Sequence, residues 1–293
     1  MSKILVTGAT GHFGKATIDF LLQKGIASDQ ISALARDESK AADLKTQGIN
    51  VITGNYEDYA SLVAAFKGVD KLLFVSANDV ANRTVQQENV VKAAKEAGVK
   101  HVIYTSFERK NETETSPIAI VAEAHLKTEK WLKESGLTYT ILKNNLYMDF
   151  IPVFIGDKVL ETGVVYLPAG EGKAGFTLRN DMAEAAANIL VTPGHEGKIY
   201  DITNLETYTY DDIASAIAGI TGKAIKYVSP TVEEYISTLT GAGVPAEYSG
   251  MFAGFALAQA EGEFDFVGND LEQLLGRKPT TLKDFLKTIY KSN

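Results

Sequence analysis

The sequence predicts an α/β protein built on a doubly wound parallel sheet, with a smaller, mainly helical lobe toward its C-terminus. Two observations lead there. Short β-branched or apolar runs alternate with amphipathic stretches through the first 150 residues, the order in which strand–helix–strand crossovers build a parallel sheet. Beyond residue 145 that rhythm gives way to helical patterning, with one further strand-like run near residue 200.

Residues 4–7 read as the first strand and 12–24 as the helix after it. The series continues with strand 31–35, helix 40–47, strand 51–53, helix 59–66, strand 71–75, helix 85–97 and strand 101–105. Gly25, Gly48, Gly68 and Gly98 follow the four helices, where a residue tolerant of positive φ is favoured. The polar stretch 108–116 is too long for a simple turn, and a loop at a strand's carboxyl end commonly borders a site. Ser116 as N-cap and Pro117 as first helical residue open a long helix that ends at Gly136, and strand 139–143 follows. Residues 181–190 read as a helix capped by Asp181, 198–202 as a strand that joins the first sheet, and much of 205–293 as helix. The first unit is therefore 1–150 with about 176–204, and the second lobe, drawn from 151–293, is discontinuous.

Composition narrows the chemistry. The chain has 293 residues and no cysteine, which excludes disulfides, thiolate nucleophiles and cysteine metal sites, and its four histidines (12, 101, 125 and 195) leave little for any other metal. With 29 basic and 37 acidic side chains the net charge is −8, and the whole excess lies in the second half, since residues 1–150 carry 18 of each. A nucleic-acid surface needs a basic stripe, so that partner is not expected. No apolar run approaches the roughly 18 residues of a spanning helix, and the N-terminal run resembles neither a signal nor a transit peptide. A soluble, cytoplasmic protein is expected; the sequence leaves a homo-oligomer open.

The most specific local signal is Thr7-Gly8-Ala9-Thr10-Gly11-His12-Phe13-Gly14, between the first strand and the first helix. Gly8 permits a tight turn, Gly11 lets backbone approach a pyrophosphate, and Gly14 lets helix and strand pack closely; the helix N-terminus adds amide donors and a positive dipole end. Thr10, His12 and Phe13 belong to the same loop. A Rossmann-type dinucleotide site follows from this loop in this strand–helix context.

The spacing, GxxGxxG within TGATGxxG, resembles the extended and atypical short-chain dehydrogenases. Further segments resemble the NmrA-like branch: Arg36, His125-Leu126-Lys127-Thr128-Glu129, Tyr139-Thr140-Ile141-Leu142-Lys143-Asn144-Asn145, Arg179-Asn180-Asp181, and Gly276-Arg277-Lys278-Pro279-Thr280-Thr281-Leu282. The likeness spans nearly the whole chain. Within the branch it implies bacterial NAD(P)H:quinone oxidoreductases and triphenylmethane-dye reductases as the nearest kinds.

At the end of the second strand, residues 33–35 are Ala-Leu-Ala and Arg36 follows, with no carboxylate for free ribose hydroxyls and a guanidinium suited to a 2′-phosphate. NADP, as NADPH, is expected over NAD. Asp37 stands next to Arg36 as a competing ribose ligand, and Asn55 occupies a position where relatives often carry Asp.

Most short-chain dehydrogenases use a Tyr four residues before a Lys on the helix after the fifth strand, on one helical face. Tyr139 and Lys143 have that spacing but sit on a strand, where four residues span roughly 13 Å. The resemblance puts His125 in place of the usual Lys and Val121 in place of the usual Tyr. Positions 118, 121, 122, 125, 129 and 132 form the helix's inward stripe, which makes His125 and Glu129 neighbours. They form either a structural pair or a proton relay beside the nicotinamide, His125 oriented by Glu129. In resembling reductases the segment from Lys143 to Tyr147 borders nicotinamide and substrate, which implies Asn144 and Asn145 at the cofactor, Lys143 at the cofactor or holding a neighbouring carboxylate, and Asn144 and Tyr147 meeting the substrate. Val75, Ser76, Thr105 and Ser106 end the fourth and fifth strands beside the cofactor crevice, through their backbone more than their side chains. Met251, Phe252, Phe255, Phe264 and Phe266 are candidates for an apolar slot.

These features imply an NADPH-dependent reductase that passes hydride to a quinone or a related flat, conjugated molecule such as a cationic dye. The rival reading is an NmrA-like sensor that binds nicotinamide without turnover. A nucleotide-sugar enzyme is disfavoured, because it needs the missing Tyr.

Overall fold

A computed structural model describes residues 2–291. The apolar runs of the first half become strands β1 (Ile4–Val6), β2 (Ile31–Ala35), β3 (Asn50–Thr53), β4 (Lys71–Phe74), β5 (His101–Phe107) and β6 (Thr138–Asn144). Between them run helices α1 (His12–Gln23), α2 (Ala42–Thr46), α3 (Tyr59–Phe66), α4 (Arg83–Ala97) and α5 (Ala119–Ser135). The chain continues with α6 (Ile151–Ile155), α7 (Val159–Thr162), β7 (Val164–Tyr166), α8 (Arg179–Val191) and β8 (Ile199–Ile202). It ends with α9 (Tyr210–Thr221), β9 (Lys226–Val228), α10 (Val232–Gly241), α11 (Ala246–Ala260), α12 (Asp270–Leu275) and α13 (Leu282–Tyr290).

Seven strands pair in parallel in the order β3-β2-β1-β4-β5-β6-β8, so the expected strand near residue 200 joins the sheet beside β6. Both faces are covered, and successive residues alternate between two cores as strand geometry requires. Ile4, Val6, Leu73, Ile103 and Leu142 pack with α1 and α8 on one face. Leu5, Leu72, Phe74, Val102, Tyr104 and Ile141 pack with α3 and α4 on the other. A third apolar cluster joins residues from 146–176 to α9, α11 and α13. This cluster flanks a two-stranded parallel sheet, β7 with β9, which the sequence did not suggest.

Some expected helix starts move because a local turn or a distant partner claims the residues that would open them. Ser116 does not cap α5: its hydroxyl donates to Glu263 Oε1 at 2.6 Å and accepts from Ile118 N, so Ser116 and Pro117 form a turn before the helix begins at Ala119. Asp181 does not cap α8, which begins at Arg179. Its carboxylate accepts from Arg277 Nη2 at 2.8 Å and Thr280 N at 2.6 Å, tying α8 to the late Arg-Lys-Pro-Thr segment. The helix expected at 40–47 shortens to α2 because a 3-10 turn over Glu38–Ala41, capped by Asp37, comes first.

Sheet order reverses direction between β1 and β4, the switch point at which a crevice opens beyond the strands' carboxyl ends. The glycine loop lies at that point. Gly8 has φ +59°, and Gly11 N donates to Gly8 O at 2.9 Å. A Cβ on Gly14 would stand 2.4 Å from the Gly8 carbonyl oxygen and 3.0 Å from Ala9 Cα, both backbone atoms that cannot swing aside. Gly14→Ala is therefore expected to destabilise the protein by about 1–3 kcal/mol through overpacking, and urea unfolding of the variant beside wild type measures it.

Candidate active site

A crevice of about 590 Å³ runs along the carboxyl edge of the sheet, from the end of β2 past the glycine loop to β6 and on to α11. Gly8, Thr10, Gly11, His12, Phe13 and Gly14 form part of its floor. Gly11 is the N-cap of α1 and offers no side chain, so the first amides of the helix are left for a ligand. His12 Nε2 lies 3.1 Å from Asn180 Oδ1, linking the start of α1 to the start of α8, while Phe13 is core from behind. Thr10 is exposed and makes no hydrogen bond among the described residues.

At one end stand Ala35, Arg36 and Asn55. Arg36 is exposed and has no hydrogen bond or ion pair among the described residues. Asp37 is not a free competitor for ribose, because its Oδ1 accepts from Ser39 N at 3.0 Å and Ser39 Oγ at 2.6 Å, bonds that also lower its pKa. Asn55 Oδ1 accepts from Glu57 N at 3.3 Å.

The strand ends between are held by buried polar side chains. Thr7 Oγ1 donates to Leu73 O and accepts from Val75 N at 2.9 Å. The Tyr56 hydroxyl lies 2.5 Å from Thr7 Oγ1 and 2.8 Å from the Val75 carbonyl oxygen, and burial pushes its pKa up. Ser76 N donates to Thr105 Oγ1 at 2.9 Å. Val75, Ser76, Thr105 and Ser106 all line the crevice as expected, yet the backbone N–H groups of Val75 and Ser76 are already used within the protein.

His125 reaches the crevice wall from α5, and Val121 lies one turn before it. The expected pairing with Glu129 is not formed. His125 Nδ1 instead meets the Tyr104 hydroxyl at 2.8 Å, and that hydroxyl donates to Gln87 Oε1 at 2.7 Å. A phenol has one proton, so with Gln87 in this orientation Nδ1 carries the hydrogen and Nε2 is left an acceptor. Burial holds the His125 pKa well below its usual value, helped by the charges of Arg83 and Arg109. The imidazole is thus held neutral, with its Nδ1 hydrogen engaged by Tyr104.

Glu129 has other partners. Its Oε1 accepts from Ser106 Oγ at 2.5 Å and Arg109 Nη2 at 3.0 Å, and Arg109 Nη1 donates to Phe107 O at 2.5 Å. Arg109 comes from the polar stretch 108–116, which lines no part of the crevice; its buried guanidinium braces the end of β5 against α5. Next to it, Glu108 is buried with Oε2 unpartnered, and burial pushes its carboxyl up to about 8, Asp201 reinforcing the shift and Lys143 opposing it.

Beyond β6 the expectations divide. Tyr147 and Asn145 line the crevice; Lys143 and Asn144 do not. Lys143 lies in register with Asp201 of β8, and Tyr139 shares its strand, far from the spacing's helical meaning. Asn144 is buried with neither amide atom hydrogen-bonded, and Asn145 spends its Nδ2 on Thr203 Oγ1 and Phe264 O, both at 3.1 Å. Arg179, ion-paired to Asp149, lies over Tyr147 at 5.5 Å and Phe150 at 4.8 Å from the ring centres. Burial raises the Tyr147 phenol's pKa, and the nearby Arg179 charge opposes it.

The far wall is aromatic. Met251, Phe252 and Phe255 of α11 line it, joined by Phe107, Phe150 and Phe154, which sequence reasoning missed. Phe154 packs edge-on to Phe252 and Phe255, at 5.5 and 6.1 Å between ring centres. Phe264 is fully buried core behind Phe107 and Phe255, and Phe266 lies under Lys110 outside the crevice; neither lines it. Arg83 was missed too; the only sequence signal is a basic residue at the start of a helix, where the dipole disfavours it.

Fold and crevice together define a Rossmann-type dinucleotide-binding protein. The chain belongs to the NmrA-like family, whose profile matches residues 1–287. It is 35% identical to quinone oxidoreductase 2 of Escherichia coli over 290 residues, 99% of each chain. The crystal structure of that NADPH-dependent enzyme with NADPH superimposes with a TM-score of 0.92 over 98% of this chain and 100% of the other. Triphenylmethane reductase from Citrobacter sp. is 37% identical, with a TM-score of 0.91 and full coverage of both chains. An NAD(P)H azoreductase of Xenophilus azovorans is 28% identical over 295 residues, 97% of this chain and 96% of that one. Among the described residues no helix is long and apolar enough to cross a membrane.

Glu108 gives a pH test of the brace. Its folded pKa, about 8, lies above the ordinary carboxyl value. The stability this raised pKa contributes is fully present below the unfolded pKa and is lost as pH rises through the folded one. Glu108→Gln, which mimics the neutral acid, is expected to raise Tm at pH 8 and leave it near wild type at pH 4, as thermal melts across that range would show.

Proposed function

We propose that the protein is an NADPH-dependent reductase that transfers hydride to a quinone or a similarly flat, conjugated acceptor. The observation that carries this reading is the continuity of one crevice, with a phosphate cradle and free guanidinium toward one end and an aromatic wall at the other. NADPH, when bound, supplies the hydride.

The residues present fit that cofactor. The glycine loop admits no Cβ at Gly14, the α1 amides are uncapped by any side chain, and Arg36 has no ion pair among the described residues while Asp37 is committed elsewhere. These groups hold a pyrophosphate and a 2′-phosphate. The second lobe then serves as the substrate side, contributing α11 and the segment after β6. Phe154, Phe252 and Phe255 offer flat apolar surface to an acceptor and exclude water around it. His125, neutral and fixed by Tyr104, shapes the wall and accepts a hydrogen bond, and the proton that completes reduction comes from solvent. An acceptor whose reduced form is a stabilised oxyanion needs no stronger acid.

The names of the similar proteins, a quinone oxidoreductase, a triphenylmethane reductase and an azoreductase, support reduction of flat aromatic molecules. Steady oxidation of NADPH on adding a simple neutral quinone is expected. Binding without turnover would instead favour a nicotinamide sensor. Arg36→Ala is expected to weaken NADPH by about tenfold or more, the scale of a lost charge-assisted contact, with NADH little changed. Titration of both cofactors by fluorescence checks this, and equal losses would overturn the 2′-phosphate assignment.

A further inference from the structure

The crevice holds a second guanidinium that the reading above leaves unused. Arg83 opens α4, lines the crevice, and is only 8% exposed. Among the described residues it makes no hydrogen bond or ion pair, and its Nε is buried with no partner. The contrast with its neighbours is informative. Arg109 is buried too but has Glu129, and Arg179 has Asp149. The one carboxylate whose charge supports Arg83 is Asp79, which already accepts hydrogen bonds from Asn82 Nδ2 at 2.9 Å and Gln86 Nε2 at 3.4 Å.

Among the described residues Asp79 supports this charge only from a distance, and no group accepts a hydrogen bond from the guanidinium. A cation at a helix N-terminus opposes the dipole, and a buried guanidinium without its acceptors is destabilising. A missing acceptor at a cavity wall is supplied by a ligand. Two sources share the chemistry: a cofactor phosphate, or an oxygen of the acceptor as it turns negative. Position favours the second. The charge of Arg83 is felt at His125, Tyr104 and Tyr147, on the β5 and β6 side, whereas the glycine loop and Arg36 serve phosphates on the β1 and β2 side.

We propose that Arg83 receives the negative charge formed on the acceptor, so that the site selects molecules that become anions over molecules that begin as cations. The proposal rests on the reductase reading. A neutral p-quinone takes two electrons and one proton as hydride from NADPH, which leaves as NADP⁺. The resulting hydroquinone monoanion then takes a second proton from solvent. A cationic triarylmethane dye becomes neutral on the same transfer, so for it the guanidinium is repulsive in the ground state and has no anion to meet.

The test uses wild type, Arg83→Gln and Arg83→Lys at saturating NADPH, with a neutral p-quinone and a cationic triarylmethane dye as acceptors. Arg83→Gln should lose about ten- to a hundredfold in kcat/KM for the quinone, the worth of a charge-assisted hydrogen bond, while the dye is unaffected or improves. Arg83→Lys should recover part of the quinone rate. A parallel loss on both acceptors would show a merely structural role and overturn the proposal. A binding measurement keeps the test independent of turnover: the planar anion of a hydroxynaphthoquinone should bind the wild-type NADP⁺ complex more tightly than neutral naphthoquinone, and Arg83→Gln should abolish the preference. Absence of that preference in wild type overturns the proposal even if the variants fail to fold. Loss of NADPH affinity in Arg83→Gln with the anion preference intact would assign Arg83 to a cofactor phosphate. If wild type shows the preference yet turns over no quinone, the reductase reading fails while the anion site stands.

Discussion

Everything at this site depends on how closely the backbone of α1 approaches the end of β1. The Gly8 carbonyl oxygen occupies the space a Cβ on Gly14 would need, so helix and turn touch through main chain alone. That contact aims the uncapped amides of α1 across the switch point between β1 and β4. Thr7, Tyr56 and Thr105 then fix the neighbouring strand ends to one another by buried hydrogen bonds. The glycine loop and the strand ends beside it are therefore held by main-chain packing and buried hydrogen bonds, the kind of support that preorganised binding requires.

Charge is distributed by role, and the net count conceals it. The first half is neutral overall and the excess of acid lies in the second, yet the groups facing the crevice include three guanidiniums, from Arg36, Arg83 and Arg179. One is paired with a carboxylate and stacked on rings; the other two carry no ion pair among the described residues. Exposed acid elsewhere is screened within about 10 Å, so these local groups govern what the crevice accepts. The acidic excess taken alone would favour neutral or cationic substrates over anionic ones; the geometry around Arg83 argues for neutral acceptors that end as anions.

What could be read from the sequence was what is decided locally. The alternation of runs, the glycine spacing and Arg36 after β2 each depend on a few adjacent residues, and the structure has them where expected. The inward stripe on α5 was also legible, but periodicity states which residues face inward and not what they meet. His125 found Tyr104, and Glu129 found Ser106 and Arg109 across about twenty residues of chain. Long-range partners likewise displaced the expected caps: Ser116 is claimed by Glu263 and Asp181 by Arg277 and Thr280. For Lys143 the resemblance implied either the cofactor or a neighbouring carboxylate; the parallel register of β6 with β8 sets it alongside Asp201, and neither it nor Asn144 lines the crevice. The aromatic wall combines Phe107, Phe150 and Phe154 with residues of α11 far later in the chain, a convergence no local pattern announces.

The central claim is that this crevice carries out reduction and does not merely bind a nicotinamide. Rapid mixing of the NADPH complex with one equivalent of a neutral p-quinone, under single-turnover conditions, tests it most directly. The account predicts complete loss of the reduced-nicotinamide absorbance in one phase, slowed when deuterium replaces the transferred hydrogen. Persistence of that absorbance while NADPH stays bound would contradict it.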